Sequence, residues 1–182
     1  MQRIEAVKPE VATGRTKELF EAIRSKLGMV PNMMRTMGNS PAVLEGYLSF
    51  NESLGKSSIG AELGELLAVS VANANLCEYC NSAHSFIGEQ LMGMDRESIE
   101  AARVGKSEDL KTQAALTFAK NLLEKKGKVN AEDISNLKDA GYTDAGVAEI
   151  IAHTALNIFT NYFNNAAMVV VDFPKVGLAL AS

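Results

Sequence analysis

The sequence predicts an all-α protein in which an N-terminal helical arm precedes a helical core. Apolar residues recur at helical spacing in nearly every segment, and glycine, proline or a capping residue separates successive segments. Strand and helix patterns do not alternate, which argues against a parallel sheet, and the sequence contains neither GxGxxG nor a P-loop. We expect residues 1–55 to form the arm and residues 56–182 to form the core with its C-terminal helix and tail, both within one compact unit.

The arm is predicted to contain three helices. Residues 14–27 place four apolar side chains on one helical face, and Gly28 follows as a stop. Pro31 at the start and Gly38 near the end predict a short second helix. Residues 41–54 carry the third helical pattern, and the loop GKSSIG separates it from the core.

Six helices are predicted in the core. Residues 61–75 are apolar almost all round, so this helix should be central. The tail that begins at Met168 contains the only strand-like run, and Pro174 limits it. The other helices are predicted at residues 77–91, after the N-cap Asp95, at residues 108–126, after the N-cap Asn130 and after the N-cap Thr143.

Length and composition exclude several classes of function. A chain of 182 residues can bury a full core without disulfides. The net charge is −4 and the basic residues are scattered, which argues against nucleic-acid or anionic-membrane partners. No apolar run reaches the roughly 18 residues of a membrane helix, and the N-terminus is too polar for a signal peptide. We expect a soluble, cytoplasmic protein with no membrane partner.

The segment LCEYCNSAHS contains both cysteines of the chain and one of its two histidines. On a helix, Cys77, Cys80 and His84 stand at i, i+3 and i+7 and therefore lie along one face. Cα atoms three residues apart are roughly 5 Å from each other, within the range of a disulfide. The positive end of the helix dipole favours a thiolate in the first turn. This pattern favours a redox-active pair in a reducing compartment.

Other interpretations of the cysteine pair stay open. The pair could be buried and inert, or it could be a redox sensor without catalysis. A structural zinc site needs four ligands, and beyond Cys77, Cys80, His84 and Glu65 the only further histidine is His153. A thioredoxin-like domain needs a βαβ scaffold that the sequence lacks.

Glu65 is a carboxylate on an apolar helical face. Its helical neighbours are Ala61, Ala68, Val69 and Ala72. We expect Glu65 to be at least partly buried, which would raise the pKa of its carboxyl group; the alternative is a surface position near the helix start. A tight turn near Asn75 between antiparallel helices would bring Glu65 beside His84.

A polar stripe runs along the final helix. It contains Glu149, His153, Asn157 and Asn161 at successive i+4 spacings. We expect a hydrogen-bonded polar seam at a helix or subunit interface, and the alternative is that part of the stripe lines a pocket over the cysteines.

Taken together, these residues resemble a known family. Glu65, Cys77, Cys80 and His84 are similar in spacing to the pattern E-x11-C-x-x-C-x-x-x-H of the alkylhydroperoxidase AhpD-like family, within the carboxymuconolactone decarboxylase-like superfamily. The segments GMVPNMMRTMGNSP, GYTDAGVAEIIAHTALNIFTNYFNN and VDFPK resemble its peroxidase-related branch. The resemblance covers nearly the whole chain and implies an AhpD-like helical bundle.

The resemblance implies a thiol-dependent hydroperoxide reductase without a cofactor or metal. Cys80 would be the peroxidatic cysteine, deprotonated by His84, with Glu65 completing a proton relay. Cys77 would resolve the sulfenic acid as a disulfide, and a thiol or dithiol reductant would restore the pair. Tyr79 stands where some family members have histidine, and its hydroxyl can donate a hydrogen bond there. The family also implies a homo-oligomer, with the arm as an interface or pocket lid.

Overall fold

The computed structural model describes residues 1–179, and every regular element in that range is a helix. A short 3-10 turn, Pro9–Val11, comes first, and a π-helical turn, Ile87–Leu91, extends the fifth helix. The prediction of an all-α fold is confirmed. The α-helices are α1 (Gly14–Leu27), α2 (Asn32–Met37), α3 (Pro41–Leu54), α4 (Ala61–Ala74), α5 (Glu78–Phe86), α6 (Arg96–Arg103), α7 (Leu110–Glu124), α8 (Ala131–Asp139) and α9 (Asp144–Ala167).

The helix ends lie where the sequence supplies capping groups. The side chains of Asp95, Asn130 and Thr143 each accept a hydrogen bond from a backbone N–H in the first turn of their helix. Gly28 ends α1 in the left-handed conformation, with φ of 74°, which a residue without a side chain adopts at little cost. All four residues act as the sequence predicts.

Two predicted helix starts and the predicted tail need correction. Helix α5 begins at Glu78 because Cys77 is extended, with φ of −96° and ψ of 93°, and is itself the N-cap. Helix α7 begins at Leu110 because Asp109 caps it. The strand-like run from Met168 onward forms no strand within the described residues, and residues 180–182 lie outside them.

Helix α4 is central, as its apolar composition predicts. It packs against α5, α6, α7 and α9. Leu67, Val71 and Ala72 are completely buried along it. Burying Leu67 and Val71 contributes roughly 1.5–3 kcal/mol each to folding, so α4 organises the packing of the core. No helix among residues 1–179 combines the length and the apolarity that crossing a membrane requires.

The core consists of two apolar clusters. One cluster joins α4 to the helices α6–α9. The other joins the arm helices α1 and α2 to Cys77, Cys80 and the beginning of the tail. The tail is attached to the arm, because the Asp172 carboxylate accepts a hydrogen bond from the backbone N–H of Asn32 at 2.7 Å. The arm thus packs directly on the cysteine pair, while the domain boundary at residue 55 stays a prediction.

Candidate functional site

A tight turn joins α4 to α5 and fixes the position of Cys77. The Cys77 N–H donates to the Ala72 carbonyl at 2.9 Å, and the Leu76 N–H donates to the Asn73 carbonyl at 3.1 Å. These two hydrogen bonds form a Schellman motif, which usually has glycine at its left-handed position. Here Leu76 takes that position, with φ of 54°, at a cost of about 1–2 kcal/mol. The turn sends α5 back alongside α4.

Helix α9 holds this turn through two asparagines. The Asn75 side-chain N–H donates to Asn161 Oδ1 at 3.0 Å. The Asn165 side-chain N–H donates to the Asn75 carbonyl at 2.9 Å. The buried end of α9 therefore lies against the two cysteines.

The two cysteines are reduced, buried and in contact. Their Sγ atoms lie 2.6 Å apart, and Cys77 and Cys80 are 0% and 2% exposed. The Cys80 N–H donates to Cys77 Sγ at 3.3 Å, so Cys77 caps α5 with its sulfur. The expectation that both cysteines lie on one helix is wrong for Cys77, yet the cap brings the two sulfurs together.

The two thiols differ in acidity. Burial raises the pKa of Cys80, but the hydrogen bond from Cys77, the charge of His84 and the Asn164 amide together lower that pKa to about 7. The hydrogen bond that Cys77 gives to Cys80 raises the pKa of Cys77 far above its ordinary value, and burial adds to this rise. At neutral pH, Cys80 is therefore the partly ionised sulfur and Cys77 its hydrogen-bond donor.

Glu65 and His84 form a pair, as the sequence predicts from the turn. The distance from His84 Nδ1 to Glu65 Oε2 is 2.7 Å, and the side chains are 25% and 19% exposed. Burial lowers the pKa of His84, but the negative charge of Glu65 and its hydrogen bond outweigh this, so the net shift is upward. The Glu65 carboxylate thus favours a positively charged His84.

Cys80 and His84 both line a cavity of about 410 Å³. The cavity wall is mostly apolar, and the arm contributes a large part of it. Polar atoms come mainly from Cys80, His84, Tyr47, Tyr79 and Thr160, with Lys26 beside them. The apolar lining consists of Leu27, Met29, Pro31, Met33, Met34, Ala83, Phe86, Ile87, Leu91 and Phe173.

No protein-family model and no curated protein sequence matches the chain. Solved structures do match it. A peroxidase-related protein of uncharacterized function from Silicibacter sp. TM1040 is 25% identical, with a TM-score of 0.80 over 93% of this chain and 92% of the other. A peroxidase-related protein from Ralstonia eutropha JMP134, described as an alkylhydroperoxidase AhpD core, is 22% identical, with a TM-score of 0.85 over 94% and 92%. The chain therefore has the helical fold of an alkylhydroperoxidase AhpD core.

A third solved structure that matches the chain is named for a different activity. The debrominase Bmp8 is 24% identical, with a TM-score of 0.78 over 93% of this chain and 91% of the other. A cysteine-to-alanine variant of Bmp8 has been solved in complex with 2,3,4-tribromopyrrole. At this level of identity, Bmp8 has the same fold as the present chain.

Tyr79 lies in the wall of the cavity of about 410 Å³, but its hydroxyl group forms hydrogen bonds outside the Glu65–His84 pair. The hydroxyl donates to Asp172 Oδ1 at 2.9 Å and accepts from the Met33 backbone N–H at 3.1 Å. Its ring packs edge-to-face on Phe173, with centroids 5.8 Å apart. Tyr79 therefore ties the tail and α2 to α5, and its hydroxyl makes no hydrogen bond to Glu65 or His84.

The polar stripe on α9 forms hydrogen bonds and also lines a second cavity. His153 Nε2 lies 3.0 Å from Ser57 Oγ, and the Asn157 side chain donates to the His153 carbonyl at 2.9 Å. His153 and Asn157 line a cavity of about 210 Å³ on which Glu65 and His84 also border. The hydrogen bonds agree with the interpretation of the stripe as a polar seam, whereas this cavity has neither cysteine in its lining.

Two contributors to the site were missed in the sequence. Asn164 donates to Cys80 Sγ at 3.2 Å, one turn beyond the polar stripe. Tyr47 of α3 lines both cavities, and its pKa is raised by burial and then by the charges of Cys80 and Glu65. The asparagines of α9 were a usable signal for Asn164, because Asn157, Asn161 and Asn164 share one face. Nothing in the sequence indicates Tyr47.

No metal centre forms among residues 1–179. No group of three histidine, cysteine, aspartate or glutamate side chains converges there in an arrangement that could hold a metal ion. Glu65 and His84, two of the four ligands considered for zinc, are hydrogen-bonded to each other.

Glu65→Gln should lower the pKa of His84. The substitution keeps the size of the side chain and removes the negative charge, so the effect of burial is no longer opposed. An NMR titration of the His84 ring measures this directly. Glu62→Gln is the matched control, because Glu62 is exposed one turn earlier on α4. An unchanged pKa of His84 in Glu65→Gln would contradict the electrostatic account.

Glu65→Gln should also change how the free energy of unfolding depends on pH. Because the pKa of folded His84 is raised, its protonation stabilises the fold below the ordinary histidine pKa, and this contribution is lost as pH rises through the folded value. The difference in unfolding free energy between wild type and Glu65→Gln should therefore shrink over that range.

Proposed function

We propose that this chain is an enzyme, a thiol-dependent reductase of organic hydroperoxides. One observation carries the proposal: the buried Cys80, whose sulfur contacts that of Cys77, lies at the wall of an apolar cavity that His84 also lines. A thiolate is the reactive form of cysteine, and a neighbouring thiol protects it from over-oxidation. The AhpD-like fold and the peroxidase-related neighbours support the same chemistry.

The reaction needs two steps at the cysteine pair. First, the Cys80 thiolate attacks the terminal oxygen of ROOH, the O–O bond breaks, and Cys80 becomes a sulfenic acid. The leaving alkoxide takes a proton, which protonated His84 supplies, and departs as an alcohol. Second, the Cys77 sulfur attacks the sulfenic sulfur, water leaves, and a Cys77–Cys80 disulfide forms. A thiol or dithiol reductant then reduces this disulfide.

The charges around Cys80 support these roles. The low pKa of Cys80 makes it the nucleophile, and the high pKa of Cys77 keeps that thiol protonated until the second step. Glu65 favours the protonated form of His84, so a proton donor lies beside the cavity when the alkoxide leaves. We propose no catalytic role for the Tyr79 hydroxyl, which is hydrogen-bonded to Asp172.

The cavity supports an organic substrate rather than hydrogen peroxide alone. A volume of about 410 Å³ with mainly aliphatic and aromatic walls fits an apolar alkyl or aryl group. Burial of such a group contributes roughly 25 cal/mol per Å² of apolar surface, which hydrogen peroxide cannot gain. We therefore propose that bulky hydroperoxides such as cumene hydroperoxide have the higher kcat/KM.

A second candidate function is reductive removal of bromine from an aromatic ring. Its support is the structural similarity to Bmp8 together with the apolar cavity. The same dithiol could supply the two electrons: aryl bromide and two thiols would give the neutral arene with hydrogen in place of bromine, bromide, a proton and the disulfide. This reaction also uses Cys80 as the nucleophile, so only the products distinguish it from peroxide reduction.

We also propose that the protein is a homo-oligomer in the cytoplasm, where thiol reductants are abundant. Helix α9 carries an exposed apolar stripe that includes Ile151, Phe159 and Tyr162. These residues lie on one helical face, which suits packing against a second copy.

Cys80→Ser should abolish peroxide consumption, by about three orders of magnitude or more, because it removes the nucleophile. The measurement is cumene hydroperoxide loss with excess dithiol. Cys77→Ser, reduced and then freed of added thiol, should consume about one peroxide per chain and keep the oxygen on Cys80 as a sulfenic acid, because no Cys77 thiol can resolve it. Ser85→Ala is the control, since Ser85 is buried on the same helix and outside the cavity lining. Full activity in Cys80→Ser would refute these roles; oxidation of wild type without turnover would favour a redox sensor.

The two candidate reactions predict different products. We expect the reduced protein to consume cumene hydroperoxide and to release no bromide from 2,3,4-tribromopyrrole, with ion chromatography as the measurement. Bromide release that depends on Cys80, without peroxide turnover, would replace the first candidate by the second.

Phe159→Glu should reduce the molar mass in solution toward the 19.5 kDa of one chain, as measured by light scattering. Leu110→Glu is the control, because Leu110 is equally apolar, 84% exposed and on α7. A wild-type protein that is already monomeric would contradict the proposed assembly.

A further inference from the structure

The buried end of α9 brings two asparagines to the cysteine pair. Asn161 and Asn164 are 0% and 3% exposed, and one helical turn separates them. The Asn164 amide nitrogen contacts Cys80 Sγ and Met33 Sδ, each at 3.2 Å. Both acceptors are sulfur atoms, which are weak acceptors unless ionised.

These two side chains have unpaired polar atoms. Asn161 Nδ2 and Asn164 Oδ1 are buried and have no hydrogen-bond partner within the described residues. The Asn75 N–H held by Asn161 Oδ1 fixes the orientation of that amide, so its nitrogen must be the unpaired end. Unpaired buried polar groups destabilise a fold, and most native ones have a functional reason.

The side-chain amides of Asn161 and Asn164 both act on Cys80. Asn161 also lowers the pKa of Cys80, and its unpaired amide nitrogen belongs to the same buried face of α9 as Asn164. The Cys80 sulfur already accepts from Cys77 and from Asn164. A buried sulfur that accepts from two donors is arranged as an anion.

We propose that Asn161 and Asn164 form an anion hole that holds the Cys80 sulfur as a thiolate. The inference rests on the proposed function and deepens it, because it names the residues that select Cys80 over Cys77 as the nucleophile. Asn164 donates directly to the reacting sulfur. Asn161 supplies a further N–H when the sulfur carries full charge. Their contribution resembles that of donors in an oxyanion hole, which act without rearranging during the reaction.

Several other groups influence the ionisation of Cys80 and must be kept constant. They are Tyr47 on α3, Glu65 on α4, Cys77 in the turn, and Tyr79 and His84 on α5. The variants below change none of them. Any shift in the Cys80 titration therefore reports on α9.

The test is a titration of reduced, full-length protein followed by the ultraviolet absorbance of the thiolate. In Asn164→Leu we expect the pKa of Cys80 to rise by about one unit or more, because a hydrogen bond to a charged group is lost. The rate of Cys80 alkylation by iodoacetamide at neutral pH should fall in proportion. Asn136→Leu is the control, since Asn136 is an exposed asparagine on α8, a helix that lines neither cavity.

The unfolding temperature of Asn164→Leu distinguishes an anion hole from a purely structural role of Asn164. Leucine removes the unpaired Oδ1 from an apolar cluster, so Asn164→Leu should unfold at the same temperature as wild type or higher while its Cys80 pKa rises. If Asn164→Leu does not fold, Asn164→Ala takes its place, because alanine also removes the N–H and adds no charge. Asn161→Asp keeps the acceptor for Asn75 and replaces the N–H by a carboxyl oxygen, and it should also raise the pKa of Cys80.

An unchanged Cys80 pKa in folded Asn164→Leu, or in Asn164→Ala where the former fails, would overturn the proposal. An equal shift in Asn136→Leu would also overturn it. These readouts need no peroxide, so they separate the two claims. A raised pKa in a protein that reduces no hydroperoxide would leave the anion hole standing and remove the proposed function.

Discussion

The candidate site depends on one constraint, the hydrogen bond from the Cys77 N–H to the Ala72 carbonyl across a left-handed Leu76. This bond reverses the chain between α4 and α5 within three residues. The reversal brings Glu65 and His84 to the same height on neighbouring helices. It also leaves Cys77 extended, so that its sulfur caps α5 and meets Cys80. A looser turn would separate both pairs at once, which gives the site a reason to accept a strained leucine.

Burial and charge then give the two thiols different properties. Both sulfurs are almost completely buried, which alone would raise both pKa values and make the pair inert. The charge of His84, sustained by Glu65, and the amide of Asn164 act mainly on Cys80. The arm and the tail close the apolar cavity over this sulfur through Asp172 and Tyr79. The resulting difference in pKa distinguishes the nucleophilic Cys80 from the resolving Cys77 within one short segment.

The sequence predicts the local features of this arrangement and misses the distant ones. The helix caps and the Glu65–His84 pair follow from spacing, because each depends on one or two adjoining helices. The extended Cys77 was missed because an N-cap and a first helical residue look alike in a periodic pattern. Asn164 and Tyr47 were missed because they reach Cys80 only through the packing of α9 and α3, and side-chain direction over such distances is not encoded in periodicity. The family resemblance places Tyr79 where some members have histidine, and the direction of its hydroxyl toward Asp172 follows only from the packing of the tail.

The most direct test of the central claim is the reaction of fully reduced protein with one equivalent of cumene hydroperoxide, followed by intact mass and thiol counting. The account predicts that both thiols disappear together, that the chain loses two hydrogen atoms in mass, and that a dithiol restores it. Peptide mapping should find the Cys77–Cys80 disulfide within one chain. Two thiols that stay reduced, or a stable added oxygen on Cys80 with Cys77 still free, would contradict it.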